Sequence, residues 1–359
     1  MKAAICIGFG QDLVIEDIAL APPGPGEVRV KLGACAICHS DIFYIQGAWG
    51  GDLPAVYGHE AAGTVIECGA GVRHVAPGDR VVVTLIRSCG HCHYCRQGTT
   101  VLCESEFPLD GRSPLARRDG ATLTQGLRTG AFAEEVVVDA SQVVTVPDDL
   151  PFDVAALLAC GVITGIGAVV NDAAVPEGSS VVVIGTGGVG LNAVQGAKLA
   201  GAAPIIAIDL AAPKRDAARQ FGATHAIDPR SEDAAAVVRS LTGGRGADYV
   251  FVTVGAKAAF EQGFGLLAKA GTLVVVGMPA TGVMAEFDPG SFAAYGQRMI
   301  GSKMGSARVD IDIPRLVALY GEGKIKLDEL ITERFPLEGI NAAIAGVLRG
   351  AALRNVILF

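Results

Sequence analysis

Residues 180–190 read SVVVIGTGGVG, and this stretch constrains the fold more than any other. Four β-branched apolar residues run without alternation into a glycine-rich turn. A strand with no polar face is buried on both sides, as in a parallel sheet covered by helices. LNAVQGAKLAG follows with small residues at helical spacing, PIIAIDL is a second buried strand, and APKRDAARQFG a second helix. THAID, ADYVFVTVG and GTLVVVGM continue the alternation. The grammar predicts an α/β fold with a doubly wound parallel sheet over residues 163–304.

The flanks read differently. EVRVKLGACAI, GTVIECG and DRVVVTLI alternate or run apolar between Gly and Pro punctuation, which predicts strands and turns. No long helical period precedes residue 152, where FDVAALLACGVITGIGAVV reads as a buried helix. The tail is mixed and ends in the apolar strand NVILF. At 359 residues the chain is too long for one core, so residues 1–162 and 305–359 are expected to form one discontinuous, mainly β domain.

Gly185-Thr186-Gly187-Gly188-Val189-Gly190 is a G-x-G-x-x-G placed between a strand and a helix, with Asp209 at the end of the next strand. The glycines permit a tight turn, close approach to a pyrophosphate and close packing of helix on strand. The helix start offers free N–H groups to the phosphates. Asp209 can accept from both adenosine ribose hydroxyls and would repel a 2′-phosphate, which favours NAD over NADP. Lys214 stands near enough in sequence to reach the same ribose.

The cysteines form two patterns. Cys89, Cys92, Cys95 and Cys103, spaced C-x2-C-x2-C-x7-C, suit a closed tetrahedral zinc shell with no open position. Cys38, His59 and Cys160, with Glu60 adjoining, are dispersed and suit an open zinc site that does chemistry. The start MKAAICIGFG carries no apolar signal segment, so a reducing cytoplasm, where disulfides are rare, is expected. Cys6, Cys35 and Cys68 are read as core fillers, and His91 and His93 as exposed neighbours of a saturated site. His74 and His225 carry no readable signal. A net charge of −8 argues against nucleic acid or an anionic membrane as partner. No apolar run approaches the ~20 residues that span a bilayer.

Taken together, C-H-S-D (38–41), G-H-E-A-A-G (58–63), the four-cysteine lobe, L-L-A-C-G-V-I-T-G (157–165), G-T-G-G-V-G (185–190) with Asp209, and L-R-N-V-I-L-F (353–359) resemble the zinc-dependent medium-chain alcohol dehydrogenases over essentially the whole chain. The resemblance implies a GroES-like catalytic domain beside a Rossmann domain, with the active site in the cleft between them. It implies a catalytic zinc on Cys38, His59 and Cys160, with Glu60 behind it and able to reach the metal transiently. Polyol dehydrogenases of the superfamily usually carry a carboxylate as third ligand, so Cys160 points to the alcohol dehydrogenase branch. Asp41 is expected to hold the free imidazole nitrogen of His59. Ser40 is placed to take the alcohol proton. The relay histidine of relatives is replaced by Phe43, so proton exit from ribose to water is expected. His39, Thr164 and Arg354 match coenzyme-contacting positions.

Trp49 and Leu85 fall where relatives line the substrate pocket and suggest aromatic or medium-chain primary alcohols. The alternative is a dehydrogenase of thiol–formaldehyde adducts. The acidic residue near Trp49 and the arginine near Phe107 that hold glutathione in relatives are absent, while Arg112, Arg117 and Arg118 leave a mycothiol adduct open. A third reading, a non-catalytic zinc ribbon binding nucleic acid, sits poorly with the acidic charge. Residues 104–131 are long for a connection and point to a function or to mobility. Short-chain tetrameric relatives lack most of that segment, so a homodimer joined near GTLVVVGM is expected, with a tetramer as the alternative.

Overall fold

The computed structural model describes residues 1–350 and 352–359. The chain divides into two compact units, one of Met1–Cys160 with Arg308–Phe359 and one of Gly161–Ala307.

The first unit holds two sheets. In the larger, the ten-residue strand Glu27–Ala36 is central: it pairs antiparallel with Glu60–Cys68, Glu135–Asp139 and Arg354–Leu358. Its Val28, Val30 and Leu32 alternate into an apolar core that also takes Cys6 and Cys35, as period-two patterning requires. Register sets up the chemistry. Ala36 lies opposite both Glu60 and Val356. Cys38, two residues beyond Ala36, thus emerges beside Glu60 from one neighbouring strand and Arg354 from the other.

The smaller sheet runs in the order Leu115–Arg117, Val14–Leu20, Lys2–Cys6, Ala55–Val56, Thr124–Gln125. Its two edges come from residues 104–131. That segment is woven into the sheet and fastened by charge. Arg87, 2% exposed, donates to Asp110 Oδ1 and Gln142 Oε1 at 2.7 Å each. Arg112 reaches the buried Glu27 carboxylate at 2.5 Å, and Arg117 meets Glu16 through two bonds of 3.0 Å.

One helix departs from the sequence expectation about apolar runs. Phe152–Asp172 is continuous over 21 residues with mean hydropathy 2.1, long and apolar enough to cross a membrane by length and composition. Its most apolar window is 89% buried within the protein, which is the character of a core helix. The helix widens to π geometry at Leu158–Val162, the stretch that carries Cys160, and again at Ala168–Asp172. Such bulges re-aim side chains inside a helix and recur at functional sites. Small and hydroxylated residues break the run to the eye but not the helix.

The second unit is a six-stranded parallel sheet: β1 (Val181–Ile184), β2 (Ile205–Ile208), β3 (His225–Ile227), β4 (Ala247–Val252), β5 (Leu267–Val275) and β6 (Arg298–Gly301). The order is β3-β2-β1-β4-β5-β6, all parallel. This is the topology whose carboxyl edge, at the β1 switch point, receives a dinucleotide. GTLVVVGM forms much of β5, which has neighbours on both sides; the open edge is β6.

Candidate metal centre and dinucleotide cradle

Cys38 precedes a seven-residue helix, His39–Ile45, that sequence patterning had not marked. The helix matters because its third residue, Asp41, is fully buried and joins two segments. Asp41 Oδ2 accepts from the Cys38 amide at 3.0 Å, and Oδ1 accepts from the Gly58 amide and from His59 Nδ1, both at 2.9 Å. With Nδ1 engaged, His59 Nε2 is buried without a hydrogen-bond partner.

That atom is part of a cluster. Donor atoms of Cys38, His59, Glu60 and Cys160 all lie within 4.8 Å of one another, and all four residues are buried. An unsatisfied buried nitrogen aimed among two sulfurs and a carboxylate is costly unless a cation fills the space. The donor set, two cysteine sulfurs and an imidazole nitrogen, is that of a zinc site with an open position. Hydrogen bonding with Cys160 holds Cys38 well below the usual thiol range, against burial, while the same bond and burial push Cys160 up. Thr84 Oγ1 donates to the Ala159 carbonyl at 2.7 Å, which fixes the bulged turn next to Cys160. Neither Thr84 nor the bulge is legible in a motif.

Glu60 stands behind the cluster. Burial pushes its carboxyl up to about 8, with the Arg354 charge opposing. Arg354 was expected at a coenzyme phosphate. The structure places it 5% exposed, with Nη1 3.3 Å from Glu60 Oε1 and donating to the Ile37 carbonyl at 3.2 Å. Burial beside Glu60 follows from the strand register described above. His39 is exposed and Ser40 half-buried on the first turn of the short helix. Phe43 and Tyr44 pack edge-on against Trp49, with ring centroids 5.1 and 5.3 Å apart, so Trp49 is anchored to the helix that starts beside Cys38. Leu85 is half-buried, next to Thr84. Arg112, Arg117 and Arg118 are all in ion pairs, with Glu27, Glu16 and Asp17.

Cys89, Cys92, Cys95 and Cys103 form a second cluster. The Cys89–Cys95 and Cys92–Cys103 sulfur pairs are each 3.9 Å apart. The edge of a tetrahedron with Zn–S of ~2.3 Å is about 3.8 Å. Backbone N–H groups of Cys89, His91, Cys92 and Cys95 point at the sulfurs from 3.2 to 3.5 Å, as thiolates require. Hydrogen bonding, first from Ser105, draws Cys89 down to about 5. His91 and His93 are both exposed, as expected of neighbours of a saturated site.

In the second unit, Gly185 turns with φ +87°, and a Cβ on Gly190 would lie 1.8 Å from the Gly185 carbonyl oxygen. Only glycine fits there, and its absence of side chain lets the helix Gly188–Leu199 start against the turn. No side chain caps that start, and a Cβ at Gly187 would meet nothing within 4 Å, leaving open space before free N–H groups. Asp209 follows β2. Its Oδ2 accepts from the Thr186 amide at 2.7 Å and its Oδ1 from the Ala211 amide at 2.9 Å. Lys214 is half-buried, and its carbonyl accepts from the Thr186 hydroxyl at 3.2 Å. Thr164 is buried, its hydroxyl 3.7 Å from the Met304 sulfur. A pyrophosphate cradle and a ribose-reading carboxylate suit a nicotinamide dinucleotide.

Comparison with known proteins agrees. Residues 24–148 match the alcohol dehydrogenase GroES-like domain family, and residues 188–321 the zinc-binding dehydrogenase family. The chain is 38% identical to the NDMA-dependent alcohol dehydrogenase of Amycolatopsis methanolica, over 99% of this chain and 98% of that protein. It is 38% identical to the probable S-(hydroxymethyl)glutathione dehydrogenase 1 of Schizosaccharomyces pombe, over 99% and 96%. The benzyl alcohol dehydrogenase of Acinetobacter calcoaceticus superposes with a TM-score of 0.93 at 31% identity, covering 100% of this chain and 99% of that one. With both family matches in place and identity of this order along its whole length, the chain belongs to the zinc-dependent medium-chain alcohol dehydrogenases.

Proposed function

We propose that this alcohol dehydrogenase oxidises an aromatic or medium-chain primary alcohol to its aldehyde, reversibly, with NAD as hydride acceptor and two zinc ions per chain. One zinc belongs at Cys38, His59 and Cys160 with Glu60 behind it, the other at Cys89, Cys92, Cys95 and Cys103. The observation that carries the reading is the buried, partnerless His59 Nε2 among two cysteines and a carboxylate.

Bound there, zinc supplies the Lewis acidity that makes an alcohol oxygen acidic near neutral pH, and the nicotinamide supplies the hydride acceptor. The chain's own residues do the rest. Asp41 holds the imidazole in the tautomer that frees Nε2. Ser40, two residues past Cys38, takes the alcohol proton through its hydroxyl. Phe43 offers no base, so the proton leaves through ribose and water. Trp49, braced by Phe43 and Tyr44, gives an apolar aromatic wall for the substrate, and Leu85 is assigned to the same pocket. The glycine-rich turn cradles the pyrophosphate; Thr164, Asp209 and Lys214 complete the coenzyme set.

The thiol-adduct reading draws on the Schizosaccharomyces pombe relative's name. Against it, Arg112 and Arg117 are spent in ion pairs. A panel of benzylic, short and long aliphatic alcohols, followed by NADH formation, with formaldehyde plus glutathione or mycothiol alongside, decides. Turnover of a benzylic or medium-chain alcohol without thiol supports the reading; activity confined to the adduct overturns it.

The proposal includes a homodimer. The open β6 edge and the exposed Met299 on it offer the surface, in place of the interior β5. Sedimentation showing a tetramer would overturn it. Nine cysteines without a disulfide suit a cytoplasmic setting.

A further inference from the structure

The carboxyl end of β2 carries more charge than Asp209. Arg215 Nη1 donates to the carbonyls of Asp209 and Leu210, each at 2.8 Å. Arg230 Nη2 donates to the same Leu210 carbonyl at 2.6 Å. Two guanidiniums thus stand within one residue of the carboxylate assigned to the adenosine ribose. Both close on a third residue. Arg215 Nη2 is 3.1 Å from Asp228 Oδ2, and Arg230 meets the two Asp228 oxygens at 2.8 and 3.0 Å. The Asp228 side chain is 14% exposed and Arg215 16%; Arg230 is 64% exposed and is tied down by its bonds to Asp228 and the Leu210 carbonyl.

Guanidinium is the side chain best matched to a phosphate, because its planar fork donates two parallel bonds. Dinucleotide sheets that accept a 2′-phosphate use an arginine at this end of the second strand. Here two are present, yet their donors go to backbone carbonyls and to one carboxylate. A phosphate arriving at the ribose would meet Asp209 and would also have to displace Asp228 from both cations.

We propose that Asp228 is a cofactor-specificity residue: by holding Arg215 and Arg230 in ion pairs beside Asp209, it withholds from a 2′-phosphorylated nicotinamide dinucleotide the two guanidiniums that would bind its phosphate. The proposal rests on Asp209 reading the ribose. Asp228 is a positioning residue, since it acts through the arginines and touches no cofactor atom. Discrimination against NADP is then built from two carboxylates with different tasks. Asp209 repels the phosphate, and Asp228 occupies its natural partners.

The test compares the native chain with Asp209→Ser, Asp228→Asn and the double variant. Binding of adenosine 2′-monophosphate and adenosine 5′-monophosphate is measured by calorimetry, and kcat/KM with NAD and with NADP on the zinc-loaded enzyme. The double variant should bind the 2′-phosphate about tenfold tighter than Asp209→Ser, as a gained charge-assisted bond implies. Its kcat/KM for NADP should rise by a similar factor, while 5′-phosphate binding and NAD turnover stay level between the two. Adding Arg215→Ala should erase the gain. Equal 2′-phosphate affinity in the double variant and Asp209→Ser would overturn the role of Asp228. If Asp209→Ser itself leaves the NADP-to-NAD ratio unchanged, the ribose assignment fails first, and the proposal with it. Should the double variant not fold, Asp228→Asn alone still decides: it should tighten 2′-phosphate binding measurably, and no change overturns the proposal.

Discussion

Asp41 accepts from His59 Nδ1 at 2.9 Å while its second oxygen takes the amide of Cys38, so one buried carboxylate sets the orientation of two proposed zinc ligands. Asp41→Asn keeps the shape but loses the charge that makes the imidazole a better donor. Outer partners of this kind are worth about 10–100-fold in metal affinity. Chelator competition should show one zinc released that much more readily, with the ion of the four-cysteine lobe unaffected. Equal retention of both ions would remove Asp41 from the metal's support.

Ser40→Ala should lower kcat by roughly 10²-fold, because general acid–base steps contribute on that scale, with KM for the alcohol little changed. Steady-state kinetics on a benzylic alcohol measure it. Near-normal kcat would mean that the proton leaves by another group.

Gly190→Ala puts a methyl group 1.8 Å from the Gly185 carbonyl oxygen and 2.8 Å from Thr253 Oγ1. The turn must open, and the pyrophosphate loses its cradle. Dinucleotide binding followed by fluorescence should weaken about tenfold or more. Unchanged affinity would place the cofactor elsewhere.

Arg112→Ala strands Glu27, whose side chain is 1% exposed, without its cation. Only Glu27 is buried, Arg112 being 39% exposed, so the loss is that of a buried acceptor's partner, about 1 kcal/mol, and Glu27 still accepts from the Gly24 amide. Thermal unfolding should begin at lower temperature while kcat/KM for simple alcohols holds. A selective rise in KM for a thiol–formaldehyde adduct would instead make Arg112 a substrate contact.

Asp228 is held well below the usual carboxylate range, first by the Arg230 hydrogen bonds and then by the Arg215 charge. A carboxyl depressed in the folded state stabilises above its unfolded value of about 3.9 and loses that contribution as pH falls below it. The Tm difference between native and Asp228→Asn should therefore be present at neutral pH and shrink below about pH 4. A difference constant down to pH 2 would show that the pair adds nothing through its charge.

Much of the architecture was legible because it is local. The buried strand Val181–Ile184, the glycine turn and Asp209 occupy one short stretch whose periodicity and turn chemistry speak for themselves. The four-cysteine lobe is legible for the same reason. The ribose-end clamp was not: Arg215, Arg230 and Asp228 look like ordinary surface charges until the β2–β3 pairing brings both arginines to the Leu210 carbonyl and onto Asp228. The helix His39–Ile45 is too short for a period to show, yet it carries Asp41. The 104–131 segment read as an open question because its ties, Arg87 to Asp110 and Arg112 to Glu27, span 23 and 85 residues.

By itself, the sequence determined the kinds of sites in this protein: a closed thiolate shell, an open cysteine–histidine set, a phosphate cradle with its carboxylate. Each follows from which atoms a residue type offers and from spacing along the chain. Only the tertiary structure decided which groups face them. Register across Glu27–Ala36 puts Arg354 against Glu60, and a π bulge turns Cys160 toward Cys38 and His59. The physical reason is that a buried charge takes whatever partner the packing brings within a few ångströms, and strand register, not sequence separation, sets that distance.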